Sequence, residues 1–322
     1  MEEKSPRFGI LIIGFNRPDF LLERLNAVRK SKWSNTEIFV SLDFPRKHHT
    51  ADKDAHLEIL DKLEVAKSNL DFHLFVEKSN QGCDKHIPAA ISRVLDKCDG
   101  VLVMEDDIMI PNEQIESILA LANLNFREKK TEPIVTMSGI YFGHLLRFNR
   151  WRKTPYFTAW GYFLYKDFWN CHKLFMDSLD FAGTDFLHHS HYWNKLSQRK
   201  KMLWEDRFSR KNYDYLIQKS IFALDLRVYA PVFRIANNLG FGNLGAVHTR
   251  FSTPYFLRHN VKSLSKVSNL DCIKSKMIQN FFVCVDSNTW AGDGWLSKRG
   301  RTMGIRTFVK RTFTNTRRIR VG

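Results

Sequence analysis

From Phe8 to Met104 short apolar runs alternate with segments of helical period. Phe8-Gly-Ile-Leu-Ile-Ile-Gly14, Glu37 to Leu42, Phe72 to Val76 and Val101 to Met104 read as buried strands. Between them Asp19 can cap a helix carrying Leu21, Leu22, Leu25 and Val28 on one face, and Asp54 to Lys67 and Pro88 to Leu95 fit two more. Strands separated by helix-length segments predict an α/β fold with a parallel sheet and right-handed crossovers. Ligands bind such sheets at the carboxyl ends of the strands. Asn16, Asp43, Asn80 and the residues after Met104 all fall at that edge.

Beyond Pro111 the pattern changes. Gln114 to Asn123 reads as a helix, Ile134 to Gly139 and Leu226 to Ile235 as strands, and Tyr156 to Tyr165 as an aromatic segment. Trp193 to Tyr215 is crowded with aromatic and charged residues. No repeat or low-complexity tract interrupts the chain, whose 322 residues and 43% hydrophobic content fit a soluble globular protein. The apolar run Phe8 to Phe15 is too short to span a membrane and follows Glu2 and Glu3, so a cytoplasmic location is expected. Five scattered cysteines without CxxC spacing suggest reduced thiols.

Charge changes the picture at one end. Of the net +16, nine Lys or Arg residues and no acid lie between Trp295 and Gly322, interleaved with Trp295, Met303, Phe308, Phe313 and other apolar residues. That mixture fits adsorption to an anionic membrane surface; it also fits a nucleic-acid partner or a solubilising tail. Residues 1–260 are therefore expected to form the main domain, and 261–322 a basic, helical C-terminal extension.

The candidate chemistry starts at Val101-Leu-Val-Met-Glu105-Asp106-Asp107, a strand ending in three carboxylates. Like charges this close cost stability unless a cation lies among them. Carboxylate oxygens suit Mg²⁺ or Mn²⁺, ions commonly shared between one or two protein carboxylates and substrate phosphates. The alternative is a solvated acidic turn. Gly240-Phe-Gly-Asn-Leu-Gly245 matches GxGxxG, but the following Ala-Val-His-Thr-Arg-Phe-Ser-Thr-Pro254 suits no stable helix, so a loop is expected rather than a dinucleotide site. His188, His189 and His191 read as a solvated loop, since nothing at helical spacing completes a metal site.

Taken in order, Asn16-Arg17-Pro18, Asp43, Asn80-Gln-Gly82, Met104-Glu-Asp-Asp107, Ala159-Trp-Gly161, Tyr213-Asp-Tyr215 and Asn238-Leu-Gly-Phe-Gly242 with His248 resemble bacterial GT-A glycosyltransferases. The likeness is to those related to N-acetylglucosaminyltransferase I and to sugar transferases of surface-polysaccharide clusters, over roughly residues 8 to 255. It implies a GT-A, Rossmann-like fold: a mostly parallel central sheet flanked by helices. It implies that Asp107 ligates Mn²⁺ or Mg²⁺ directly, that Asp106 contacts ribose or metal beside Glu105, and that His248 completes the metal or diphosphate site. Asp43 would read the nucleobase, with Asn16, Arg17, Asn80, Gly82 and Lys85 in the donor site. The catalytic Asp falls on Asp214; Trp204-Glu205-Asp206 resembles another form of the same element, leaving Asp206 as the alternative.

The reaction so implied is an inverting displacement at the anomeric carbon, with a nucleoside diphosphate (UDP first) leaving and a glycan or lipid-linked hydroxyl attacking. Peripheral attachment to the inner face of the plasma membrane would place the enzyme beside a lipid-linked acceptor. A nucleotidyltransferase of similar fold would need a Gly-rich basic loop after the first strand, which Gly14-Phe-Asn-Arg-Pro18 lacks. A basic nucleic-acid-binding protein would leave Glu105 to Asp107 facing a polyanion, so no nucleic acid is expected.

Overall fold

The computed structural model describes residues 5–29, 35–136, 150–178, 185–232 and 234–240, with the backbone of 269–272. His248, residues 241–245 of the glycine-rich loop and the basic extension, apart from the backbone of 269–272, lie outside the described residues. The first strands form where aliphatic runs predict them: β1 (Phe8–Gly14), β2 (Thr36–Leu42), β3 (His73–Val76) and β4 (Gly100–Glu105). They pair in parallel in the order β3-β2-β1-β4. Side chains of β1 alternate between two cores, Phe8, Ile10 and Ile12 facing one and Leu11 and Ile13 the other. Burial on both faces is why these strands are almost wholly apolar.

Helices cover both faces. α1 (Pro18–Arg29), α2 (Thr50–Lys67) and α4 (Asn112–Arg127) bury Leu21, Leu25, Ile59, Leu63, Ile115 and Ile118 in the first core. α3 (Cys83–Leu95), α5 (Lys166–Asp177) and α8 (Tyr213–Ala223) supply the second with Ile87, Ile91, Phe168, Trp169, Ile217 and Ile221. α3 starts five residues before the predicted Pro88. The backbone turns at Gly82 (φ 69°), where the Asp43 carboxylate fixes the preceding loop. Pro88, favoured at a helix start, here sits inside the helix.

The sheet continues through β8 (Tyr162–Tyr165), antiparallel to β4, then β6 (Ile134–Val135), β9 (Val228–Pro231), β7 (Arg150–Thr154) and β11 (Asn269–Cys272). A two-stranded ribbon joins β5 (Ile108–Met109) to β10 (Asn237–Asn238). The expected mostly parallel α/β sheet is thus present. The predicted strands at 134–139 and 226–235 are shorter among the described residues. A third core is aromatic: Tyr156, Trp193, Phe208 and Phe222 pack around Trp204. α7 (Gln198–Ser209), the short α6 (His191–Asn194) and a 3₁₀ turn at Asp185–His189 surround it, leaving His188, His189 and His191 exposed. No described helix is long and apolar enough to cross a membrane.

Candidate active site

Register decides what meets at the carboxyl edge. Ile13 lies opposite Glu105 and Gly14 opposite Leu42, so the chain leaves β1, β2 and β4 at one level. The Asp106 amide donates to the Ile13 carbonyl (2.8 Å), the Asp43 amide to Gly14 (3.1 Å) and the Glu77 amide to Leu42 (3.0 Å). A cleft of about 470 Å³ opens there, and Arg17, Asp43, Asn80, Gly82, Glu105, Asp106, Asp107 and Asp214 are among the residues that line it.

The acidic triplet carries its own counter-charge. Arg17 Nη1 lies 2.6 Å from Asp107 Oδ2 and 3.1 Å from Asp106 Oδ1. Burial works against the Arg17 charge, but Asp106 and Asp107 outweigh it and raise its pKa. Burial, joined by Asp107 and Asp106, pushes the Glu105 carboxyl up to about 8, against the Tyr213 hydroxyl that donates to Glu105 Oε1 at 3.2 Å. Burial also lifts Asp106 to about 7, despite Arg17. Asp107 is pinned from behind: its carbonyl accepts the Leu239 amide (2.7 Å). A side chain at Gly240 would place Cβ 2.1 Å from Asp107 Oδ2, so any larger residue in this turn would have to displace the Asp107 carboxylate.

Asp43 is spent on the loop after β3. Oδ1 accepts the Phe44 and Gln81 amides, and Oδ2 accepts the Gly82 amide and Asn80 Nδ2, at 2.8 to 3.3 Å. A carboxylate offers about four acceptor positions. All four are filled, which leaves none for a nucleobase while the loop keeps this shape. Asn16 turns away from the cleft to donate to Asp52 Oδ1 (2.8 Å). Asp52 also takes a two-point contact from Arg46, at 2.6 and 3.0 Å, and that hydrogen bond holds the Asp52 carboxyl below its usual range. Arg46 lines the cleft with its guanidinium 5.4 Å from the centre of the Phe15 ring. Lys85 stands exposed outside the lining.

The two candidate bases separate. Asp214 lies in the first turn of α8 and faces the cleft; burial raises its pKa, opposed by the Tyr215 amide and joined by Asp84. Asp206 sits on α7 with 60% of its side chain exposed, paired to Arg210 at 2.6 Å and outside the lining. Asn212, at the N-cap of α8, makes no side-chain cap; Asp84 on α3 accepts the Tyr213 amide instead (2.9 Å). Asp84, Arg46 and Phe15 were not singled out from the sequence. Arg46 and Phe15 had one signal, their place just past β2 and β1, whereas Asp84 had none.

Asp106 and Asp107 offer hard oxygen donors of the kind Mg²⁺ or Mn²⁺ accepts. Among the described residues no three ligating side chains converge on one point. As a pair they fit an ion that takes its remaining ligands from a substrate's phosphates or from water.

No family model and no curated protein sequence matches the chain. Among solved structures it is similar to TarS 1–349 of S. aureus, at 13% identity and a TM-score of 0.42, over 70% of this chain and 57% of that one. With TarS 1–349 in complex with UDP the values are 12%, 0.43, 70% and 60%. A mannosyltransferase from Pyrobaculum calidifontis, in complex with GDP-Man and Mn²⁺, is matched at 11% and 0.39, over 68% of this chain and 70% of that one. This chain spans little more than half of the TarS segment.

Proposed function

We propose that this chain is a metal-dependent, inverting glycosyltransferase that moves a sugar from a nucleotide-diphosphate donor, UDP-linked first, to a hydroxyl of a glycan or lipid-linked acceptor in surface-polysaccharide synthesis. One observation carries the reading: the acidic triplet, Arg17 and Asp214 share a single cleft at the carboxyl edge of a parallel sheet. The order of motifs resembling GT-A glycosyltransferases supports it. A Mn²⁺ or Mg²⁺ ion held by Asp106 and Asp107 would offset charge on the departing diphosphate.

Asp214 acts as general base. It takes the proton of the acceptor hydroxyl as that oxygen bonds to the anomeric carbon and the carbon–oxygen bond to the diphosphate breaks. Its partly desolvated place at the N-terminus of α8 favours the role, because burial brings its pKa towards the working pH. Phe15 and Arg46, in contact with each other, line the cleft together with the Asp43-stapled loop and would meet the nucleobase there. Trp160 lines the acceptor side with Asn212 and Tyr213. His248 as a further ligand, and the basic extension as a membrane anchor, complete the proposal.

Thermal stabilisation by UDP, GDP and other nucleotides, each with and without Mn²⁺, followed by a screen for nucleoside-diphosphate release from sugar donors, tests it. Stabilisation by a nucleotide with metal and turnover of one donor is expected. Stabilisation by nucleic acid alone would sink the reading.

A further inference from the structure

We propose that the Arg17 guanidinium is the resting counter-ion of Asp106 and Asp107, so that a divalent ion enters only together with the diphosphate that draws Arg17 away. The class of ligand rests on the glycosyltransferase reading above; the counter-ion role rests on geometry alone. A single nitrogen, Nη1, bridges both carboxylates at 2.6 and 3.1 Å. A divalent ion wants the same oxygens at about 2.0 to 2.2 Å, which puts two like-signed centres within contact of each other. One has to leave.

The acidic side is the fixed side. Asp106 is tied through its amide to β1, Asp107 through its carbonyl to Leu239, and Gly240 runs hard against the Asp107 carboxylate. Apart from the two carboxylates, Arg17 is anchored among the described residues through its backbone, whose carbonyl accepts the Leu21 amide at the head of α1 (3.1 Å). Its side chain, 30% exposed, is long enough to turn from the two carboxylates towards an anion entering the cleft. An arginine leaves a carboxylate pair readily only for another anion, and its planar fork suits phosphate oxygens.

The incoming ion has a matching need. Two carboxylates leave most of its coordination positions to water or phosphate, and no third ligating side chain converges among the described residues. Diphosphate meets both demands, accepting Arg17 and completing the ion's shell. Metal and nucleotide then bind cooperatively, each raising the other's affinity by the same factor.

The test is Mn²⁺ binding to the full chain, read by the electron-spin-resonance signal of free Mn²⁺, with and without saturating UDP, for the wild type, Arg17→Gln and Arg17→Lys. Without UDP, Arg17→Gln should bind Mn²⁺ about tenfold tighter than wild type or more, since one positive charge at contact distance is gone. Arg17→Lys keeps the charge and should stay near wild type. UDP should raise wild-type Mn²⁺ affinity at least about tenfold and Arg17→Gln far less. Unchanged metal affinity in Arg17→Gln without UDP, or equal coupling in both proteins when UDP binds to each, overturns the proposal. Should that variant fail to fold, the wild type decides: equal Mn²⁺ affinity with and without UDP overturns it. Failure of the donor reading looks different, because no nucleotide would bind while the gain in Arg17→Gln without nucleotide persisted.

Discussion

The sheet edge built by β1 to β4 and the aromatic layer built by α7 and α8 solve opposite problems. The first is largely aliphatic, with β1 and β4 buried on both faces, and is held by parallel ladders; its charged groups sit at or directly past strand ends. The second packs rings and cations together: Arg207 lies 4.8 Å from the Trp204 ring centre, and Lys219 lies 5.1 Å from that of Phe186. Its contribution to the cleft is one helix N-terminus carrying Asp214. A scaffold that positions charge by backbone suits the proposed anionic donor, while a separate, side-chain-packed layer presents Asp214, the proposed base.

That division predicts distinct losses. The largest concerns the aromatic layer's single reactive group. Asp214→Asn should lower turnover by about 10² to 10⁴ with donor affinity nearly kept. Asp206→Asn, on the exposed face of α7, should stay within about twofold. Steady-state kinetics on both variants check this, and the reverse ranking would move the base to α7.

The next asks which half weakens in acid. Burial holds His172 on α5, bonded to Ser220 on α8 at 2.7 Å, down at about 4 against an ordinary 6.5. The folded protein keeps the neutral ring, so its stabilising share is full above about 6.5 and is lost as pH falls through about 4. The shift corresponds to about 3 kcal/mol. Urea unfolding of wild type and His172→Asn between these pH values should show a steeper decline in the wild type. Parallel declines would remove His172 as the cause.

A smaller effect probes the sheet edge. Gly240→Ala forces a methyl group against Asp107 and should weaken nucleotide binding with Mn²⁺ by about 1 to 3 kcal/mol, the usual scale of overpacking. Calorimetric titration with UDP and Mn²⁺ reads it; an unchanged affinity would mean Asp107 has room to shift. The smallest tests the seam between the regions. Asp84→Ala removes the cap that α3 lends to α8 and should cost about 1 kcal/mol of stability, while Asp84→Asn, still an acceptor, should cost less. Equal unfolding midpoints in urea for both variants would mean the seam is held elsewhere.

The two regions were also unequally legible. β1 to β4 could be read directly, since short apolar runs separated by helix-length segments mark such strands, and strand ends then marked the edge where Asp43 and the triplet meet. α8 was not recognisable as a helix: Ile217 to Phe222 are all buried, so no polar stripe reveals a period. Spacing placed Asp43 correctly but not its occupation, because four donors converging on one carboxylate depend on how the 79–82 loop closes. The Arg17 bridge and the Asp84 cap join positions 90 and 129 residues apart, separations for which local pattern carries no signal.

The same long reach bears on how the molecule comes into being. Local contacts form early on a growing chain and distant ones late. β1 to β4 can pair once residue 107 has emerged, giving a sheet with its acidic edge and Arg17 already neutralising it. Asp214, the proposed base, takes its place only when Tyr213 finds Asp84 and Glu105. A nascent chain stalled between those points would hold the proposed donor site with nothing opposite it, so the capacity to act is conferred well after the sheet edge has formed rather than with it.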